Sequence, residues 1–240
     1  KLEENYGFHP EATIIFHNIL EFADKFSSFK ENEVLVIGEE TGRFLRDVMH
    51  AKIKVSNQIG YKSLKRYDAL IIGSEIQEEE INWDMLQKFA SEGHTVLIMP
   101  RDETPNFLME KVKIEPICKD VNSKRTLHVA VKVRTKVTSG YNSEDFKNWP
   151  EAPVDKILKI QHAEDVEPLI YVAYGSLEGR IGGARPYPKE IFPLGAGLVR
   201  IRRGKGEIFL SQLKLLRNNP SAMFILNMIL TQLGVRLCAS

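Results

Sequence analysis

Runs of consecutive apolar residues closed by Gly or Pro set the rhythm of the first half of the chain. Val34-Leu35-Val36-Ile37-Gly38, Tyr67-Asp68-Ala69-Leu70-Ile71-Ile72-Gly73 and His94-Thr95-Val96-Leu97-Ile98-Met99-Pro100 are apolar without alternation. Such runs predict strands buried on both faces, as in a parallel sheet. Ile53 and Val55 mark a further strand between the first two runs. Helical spacing fills the gaps. Thr41 to Met49 predicts a short helix, and Glu78 to Glu92 an amphipathic one, with Ile81, Met85, Leu86 and Phe89 on one side and Gly93 as its stop. Strand alternating with helix predicts an α/β fold: a doubly wound, mostly parallel sheet with helices on both faces.

The pattern changes after residue 117. Leu127, Val129, Val131 and Val133 alternate with polar residues, predicting a half-exposed strand over 126–135. Residues 138–168 carry Gly140, Pro150, Pro153 and Pro168 among many charges and predict a long, mostly irregular excursion. Leu169 to Tyr174 and Gly197 to Ile201 predict strands. Arg203-Gly204-Lys205-Gly206 predicts a tight turn into Glu207 to Gln212, hence a C-terminal hairpin, and a closing helix follows at 220–233.

That closing helix has a twin at the other end of the chain. Pro10, Ala12, Ile15, Ile19 and Leu20 recur as Pro220, Ala222, Ile225, Ile229 and Leu230. Each copy opens on a proline that pre-sets φ for the first turn and continues at helical spacing. A repeat over this interval suggests one domain's closing helix followed by a complete second domain with the same ending. The alternative is two similar amphipathic helices by coincidence.

Composition then narrows the tasks. With 240 residues, 43% of them hydrophobic, the chain can bury one substantial core with an appendage. Its 33 basic and 32 acidic side chains nearly cancel, leaving +1. A balanced field argues against nucleic acid or a membrane surface as the main partner. No apolar run approaches the roughly 18–20 residues of a membrane span. Neither an initiator Met nor a charged-then-apolar leader stands at Lys1, so cytoplasm and secretion or the periplasm both remain open. Cys118 and Cys238 are the only cysteines and are read as two unpaired thiols, a single bridge being the alternative. The six histidines show no metal-ligand spacing.

Three segments carry a resemblance. The first is Tyr67 to Gly73, a helix, then Glu92-Gly93-His94-Thr95-Val96-Leu97-Ile98; the second is Ser139-Gly140-Tyr141-Asn142-Ser143-Glu144-Asp145-Phe146-Lys147-Asn148-Trp149. The third is Gly204-Lys205-Gly206 through Ser211-Gln212-Leu213 into Asn219-Pro220-Ser221-Ala222. In this order they resemble the class I glutamine-amidotransferase-like, flavodoxin-like accessory domains of bacterial glycoside hydrolases of the β-galactosidase type. The resemblance implies that residues 1–30 are the closing helix of a preceding domain or an N-terminal appendage, and that residues 31–240 form the amidotransferase-like domain. It also implies a hydrolase parent whose other domains, or a second copy in a homo-oligomer, are the partners.

An active amidotransferase needs a Cys nucleophile on a sharp strand-to-helix turn, backed by His and a carboxylate. The corresponding turn reads Pro100-Arg101-Asp102-Glu103 and holds no cysteine. Glutaminase activity is therefore expected to be absent, and no catalytic residue is assigned. A glycosidase needs two carboxylates flanking a sugar. Glu39, Glu40, Glu75, Glu78, Glu79, Glu80, Asp102 and Glu103 are plentiful, but Glu78 to Glu80 are explained by the dipole of a helix start. A divergent hydrolase using Asp102 or Glu103 is the minor alternative.

Gly38-Glu39-Glu40-Thr41-Gly42-Arg43 sits where many α/β sheets hold nucleotides, yet it lacks G-x-G-x-x-G and a P-loop lysine. A ligand-binding module, for a sugar or nucleotide, would use the strand ends: Gly38, Glu39, Gly73, Ser74, Arg101 and Asp102. Among the aromatic residues, Trp83, Tyr171 and Tyr174 read as core or half-core, and Trp149 as a surface contact. Gly175 to Gly197 reads as a long loop, with Arg180, Arg185 and Tyr187 as anchors for a neighbouring domain. No cofactor and no metal are expected. The reading preferred from sequence is a non-catalytic accessory domain that acts by packing.

Overall fold

The computed structural model describes residues 32–57, 61–117, 125–131, 137–138, 143–146, 149, 152–161, 164–176, 191–235 and 237. The chain divides into two compact units, Lys1–Glu31 and Asn32–Ser240, and the described residues all belong to the second. The first copy of the repeated helix, both cysteines and the anchors Arg180, Arg185 and Tyr187 lie outside the described residues.

The apolar runs form the parallel part of the sheet. Every residue of β1 (Val34–Ile37) is buried, and β2 (Lys54–Ser56) pairs with it in parallel, Val36 opposite Val55. On its other side, β3 (Ala69–Ile72) is buried throughout, with Ile37 opposite Ile72. β4 (Thr95–Ile98) follows, Leu97 opposite Ile71. Side chains pointing both ways enter apolar layers, which is why these strands are apolar rather than alternating.

The remaining strands make the sheet mixed. β5 is Val112–Pro116, β6 Arg125–Val131, β7 Lys156–Ile160, β8 Val166–Ser176, β9 Ile191–Arg203 and β10 Gly206–Ser211. β10 lies parallel beside β4, Phe209 opposite Leu97. β9 returns antiparallel to β10 through the Gly204-Lys205 turn, because a two-residue connection can only join antiparallel strands. β8 lines the opposite edge of β9 and carries β6, both pairings antiparallel. Before β10 takes over, β9 touches β7 at Ala196 opposite Leu158, and β7 pairs with β5. Gly195 permits that approach: a Cβ there would stand 2.9 Å from the Leu158 carbonyl oxygen. The α/β class and the parallel first half match expectation, whereas the expected mostly parallel sheet is half antiparallel.

Two stretches expected as irregular are strands. Lys156–Ile160, inside the expected excursion, buries Ile157 and Leu158, and Ile191–Gly197, inside the expected loop, forms the start of β9. Pairing with distant partners overrides the prolines and charges nearby.

Helices are few and short among the described residues. α1 (Glu39–Arg43) continues as a π-helical turn, Phe44–Val48, and α2 spans Tyr61–Leu64. α3 (Trp83–Ser91) begins five residues later than the amphipathic pattern predicts. The Asn82 side chain accepts from Met85 N at 3.0 Å, and Glu78–Glu80 form a separate 3-10 turn. It buries Trp83, Leu86, Phe89 and Ala90 in the main core, which also holds Leu70, Ile72, Val96 and Ile208. α4 (Pro220–Gln232) starts as expected, with Pro220 in its first turn and the Asn219 side chain accepting from Ala222 N at 2.9 Å. Among the described residues no helix is long and apolar enough to cross a membrane.

Candidate functional site

Because β1, β3, β4 and β10 are parallel, their carboxyl ends share one edge, where open α/β sheets hold their ligands. Gly38, Gly73, Arg101 and Gln212 follow the four strands there. Two of this chain's own side chains occupy that edge.

The first is Glu75. Its Oε1 accepts from the Thr41 backbone N–H at 2.8 Å and its Oε2 from the Thr41 hydroxyl at 2.7 Å. A carboxylate is thus placed against the first turn of α1, where N–H groups lack helical partners and negative charge is favoured. Room for it comes from glycine. A Cβ at Gly38 would lie 2.3 Å from Glu75 Oε1, and one at Gly73 2.4 Å from Oε2. Gly38 also has φ +122°, which side-chain-bearing residues avoid. The space between the ends of β1 and β3 is therefore filled by a side chain of the same chain.

The second is Arg101, whose side chain is only 7% exposed. Its Nη2 donates to the Ile76 carbonyl at 2.8 Å and lies 3.5 Å from Glu78 Oε2. The guanidinium carbon stands 5.6 Å from the Trp83 ring centroid, and the Arg101 carbonyl accepts from Gln212 Nε2 at 3.2 Å. Burial pulls the guanidinium below its ordinary pKa, with Glu78 foremost among the carboxylates working against that shift. Glu78 also accepts from Asn106 N at 3.0 Å, and Trp83 packs on Phe107 with ring centroids 5.2 Å apart. Arg101 thus ties the Ile76–Glu78 loop to the end of β4.

The other expected ligand residues are exposed at this edge. Glu39 faces Arg46 at 3.8 Å, Ser74 is exposed in a turn, and Asp102 pairs with Lys156 at 2.5 Å. The Lys156 hydrogen bond holds the Asp102 carboxyl below the usual carboxylate range. The backbone after β4 does not form a strand-to-helix elbow: Asn106–Leu108 is a 3-10 turn, and among the described residues the only non-glycine with positive φ is His50, at +52°. Among the described residues no group of His, Cys, Asp and Glu is arranged to hold a metal. His94 stacks on Phe89, ring centroids 4.2 Å apart, immediately before β4.

Trp149, expected as a surface contact, is 8% exposed, and its ring stacks on Phe146 at 5.6 Å. Its area is spent inside the molecule. Trp83 is buried as expected, while half-buried Tyr171 lines a groove of about 350 Å³ with Leu158, Pro168, Pro193 and Leu194. Glu75 was one carboxylate among many in the sequence. The signal that could have singled it out is the pair of glycines ending two adjacent strands, which leaves a gap that a nearby side chain must fill.

No family model and no curated protein sequence matches this chain. Solved structures do. A cytoplasmic protein from Salmonella typhimurium LT2 aligns with TM-score 0.50 at 14% identity, over 83% of this chain and 98% of its own. That likeness is one of fold. A ThuA-like protein from Bacteroides uniformis aligns with TM-score 0.49 at 12% identity, over 86% of this chain and 92% of its own. A β-galactosidase from Rahnella sp. R3 aligns with TM-score 0.44 at 13% identity, over 84% of this chain. This chain spans 31% of that β-galactosidase.

Proposed function

We propose that this chain is a non-catalytic, amidotransferase-like domain of a larger carbohydrate-active enzyme, and that it works by packing against other domains or a second subunit. The observation that carries the proposal is the occupied edge: Glu75 fills the gap between the ends of β1 and β3, and Arg101 is buried at the end of β4. A ligand or nucleophile at either place would have to displace a bonded, charged side chain. Displacing Glu75 would strand the Thr41 N–H, and displacing Arg101 would leave Glu78 without its cation, each a costly loss.

The sugar-hydrolase context rests on the sequence resemblance, and the doubly wound placement of helices on both faces on the alternation of apolar strands with helices along the chain. Arg180, Arg185 and Tyr187 remain the proposed contact to a neighbouring domain. The test is direct. The purified chain, incubated with chromogenic glycosides and separately with glutamine, is expected to release neither chromophore nor ammonia above a blank. Robust turnover of either substrate would refute the proposal, and a thermal shift with a sugar or nucleotide would replace it with a ligand-binding role.

A further inference from the structure

Three polar atoms beside the Arg101 guanidinium are buried without a hydrogen-bond partner: Arg101 Nη1, Trp83 Nε1 and Glu78 Oε2. Arg101 is 8% exposed and Trp83 8%, so bulk solvent does not reach these groups. They belong together in space. Glu78 Oε2 is 3.5 Å from the other guanidinium nitrogen, and the Trp83 ring lies against the same guanidinium. Native structures rarely leave such buried groups unmatched.

The inventory of the three atoms says what answers them. Arg101 Nη1 and Trp83 Nε1 can only donate, and Glu78 Oε2 as a carboxylate oxygen can only accept. The required guest accepts two hydrogen bonds and donates one. It must also be neutral, since the guanidinium and carboxylate already balance in charge, and small, since the three atoms are enclosed. Buried waters make about three hydrogen bonds to otherwise unmatched groups. We infer that Arg101, Trp83 and Glu78 form a binding site for one internal water, which accepts from Arg101 Nη1 and Trp83 Nε1 and donates to Glu78 Oε2. This water adds a second tie between the Glu78 turn and the end of β4, alongside the direct Arg101–Ile76 bond, and steadies the loop that presents Glu75.

NMR of the full chain tests this at the indole N–H of Trp83. The chain has two tryptophans, so the Trp83→Phe spectrum assigns the two indole signals by loss of one. The expected result is a direct water-to-indole Overhauser cross-peak, of the sign given by a long-lived bound water, on the Trp83 signal. The Glu78→Gln variant, whose amide oxygen still accepts, should retain the cross-peak. A protected Trp83 indole with no such cross-peak would overturn the inference. So would a crystal structure in which Trp83 Nε1 donates directly to Glu78 or to another protein atom.

Discussion

The Glu75 carboxylate and Thr41 are bonded twice, through the Thr41 backbone N–H at 2.8 Å and its hydroxyl at 2.7 Å, across 34 residues of sequence. Thr41 is fully buried, so both donors depend on this one partner. The carboxylate also stands where Cβ atoms at Gly38 and Gly73 would otherwise reach.

Removing that carboxylate should therefore destabilise the fold. Glu75→Ala is expected to cost about 2 kcal/mol, the usual scale for a charge-assisted bond to a buried donor. Urea unfolding followed by circular dichroism measures it. A loss within ~0.5 kcal/mol would mean the two bonds contribute nothing net.

The glycines should respond differently once Glu75 is gone. Gly73→Ala alone is expected to cost about 1–3 kcal/mol through overlap with the carboxylate, and less in the Glu75→Ala background, where the carboxylate is gone and only the Thr41 hydroxyl, 2.7 Å from such a Cβ, still crowds it. Gly38→Ala should stay costly in both, because its φ of +122° is unfavourable to any side chain. A double-mutant cycle reads the difference as coupling for Gly73. Strictly additive losses at Gly73 would contradict the steric account.

Arg101→Ala leaves the Ile76 carbonyl and Glu78 without their cation in a buried setting. A loss of about 3 kcal/mol is expected, with the thermal midpoint falling accordingly. Asp102→Ala combined with Glu103→Ala, by contrast, should change stability by under ~1 kcal/mol, since both side chains are exposed. A large loss from the exposed pair with none from Arg101 would invert the assignment of the edge.

Asp165 should make stability pH-dependent at the acid end. A hydrogen bond from Lys111 at 2.5 Å holds its carboxyl below the usual value of 3.8, and Arg203 at 3.1 Å adds attraction, while burial works the other way. A folded pKa below the unfolded one means the contribution is present above about pH 4 and disappears as pH falls through the depressed folded value. Asp165→Asn is expected to cost about 1 kcal/mol or less at pH 7, given partial exposure, and less at about pH 3, where the contribution is already being lost. Equal gaps at both pH values would show that charge is not the cause.

Some of this architecture is legible without coordinates because its causes are local. The apolar runs at Val34–Ile37, Ala69–Ile72 and Thr95–Ile98, short and soon followed by Gly or Pro, read as strands buried on both faces, and they are strands. Asn219-Pro220 and Gly204-Lys205 carry their own cap and turn chemistry. Other features are decided by partners far away in sequence. Lys156–Ile160 becomes a strand because β5 and β9 flank it, against prolines and charges that argue locally for a loop. Glu75 stands out from its neighbouring carboxylates only once parallel pairing sets Gly38 beside Gly73 and brings Thr41 within 2.8 Å. Arg101 reads as a ligand contact at the strand ends until the Ile76 carbonyl, Glu78 and Trp83 close around it. Periodicity and turn residues act over a few bonds and are written in order, whereas which charge is buried, and against what, is fixed by contacts that exist only after the sheet has assembled.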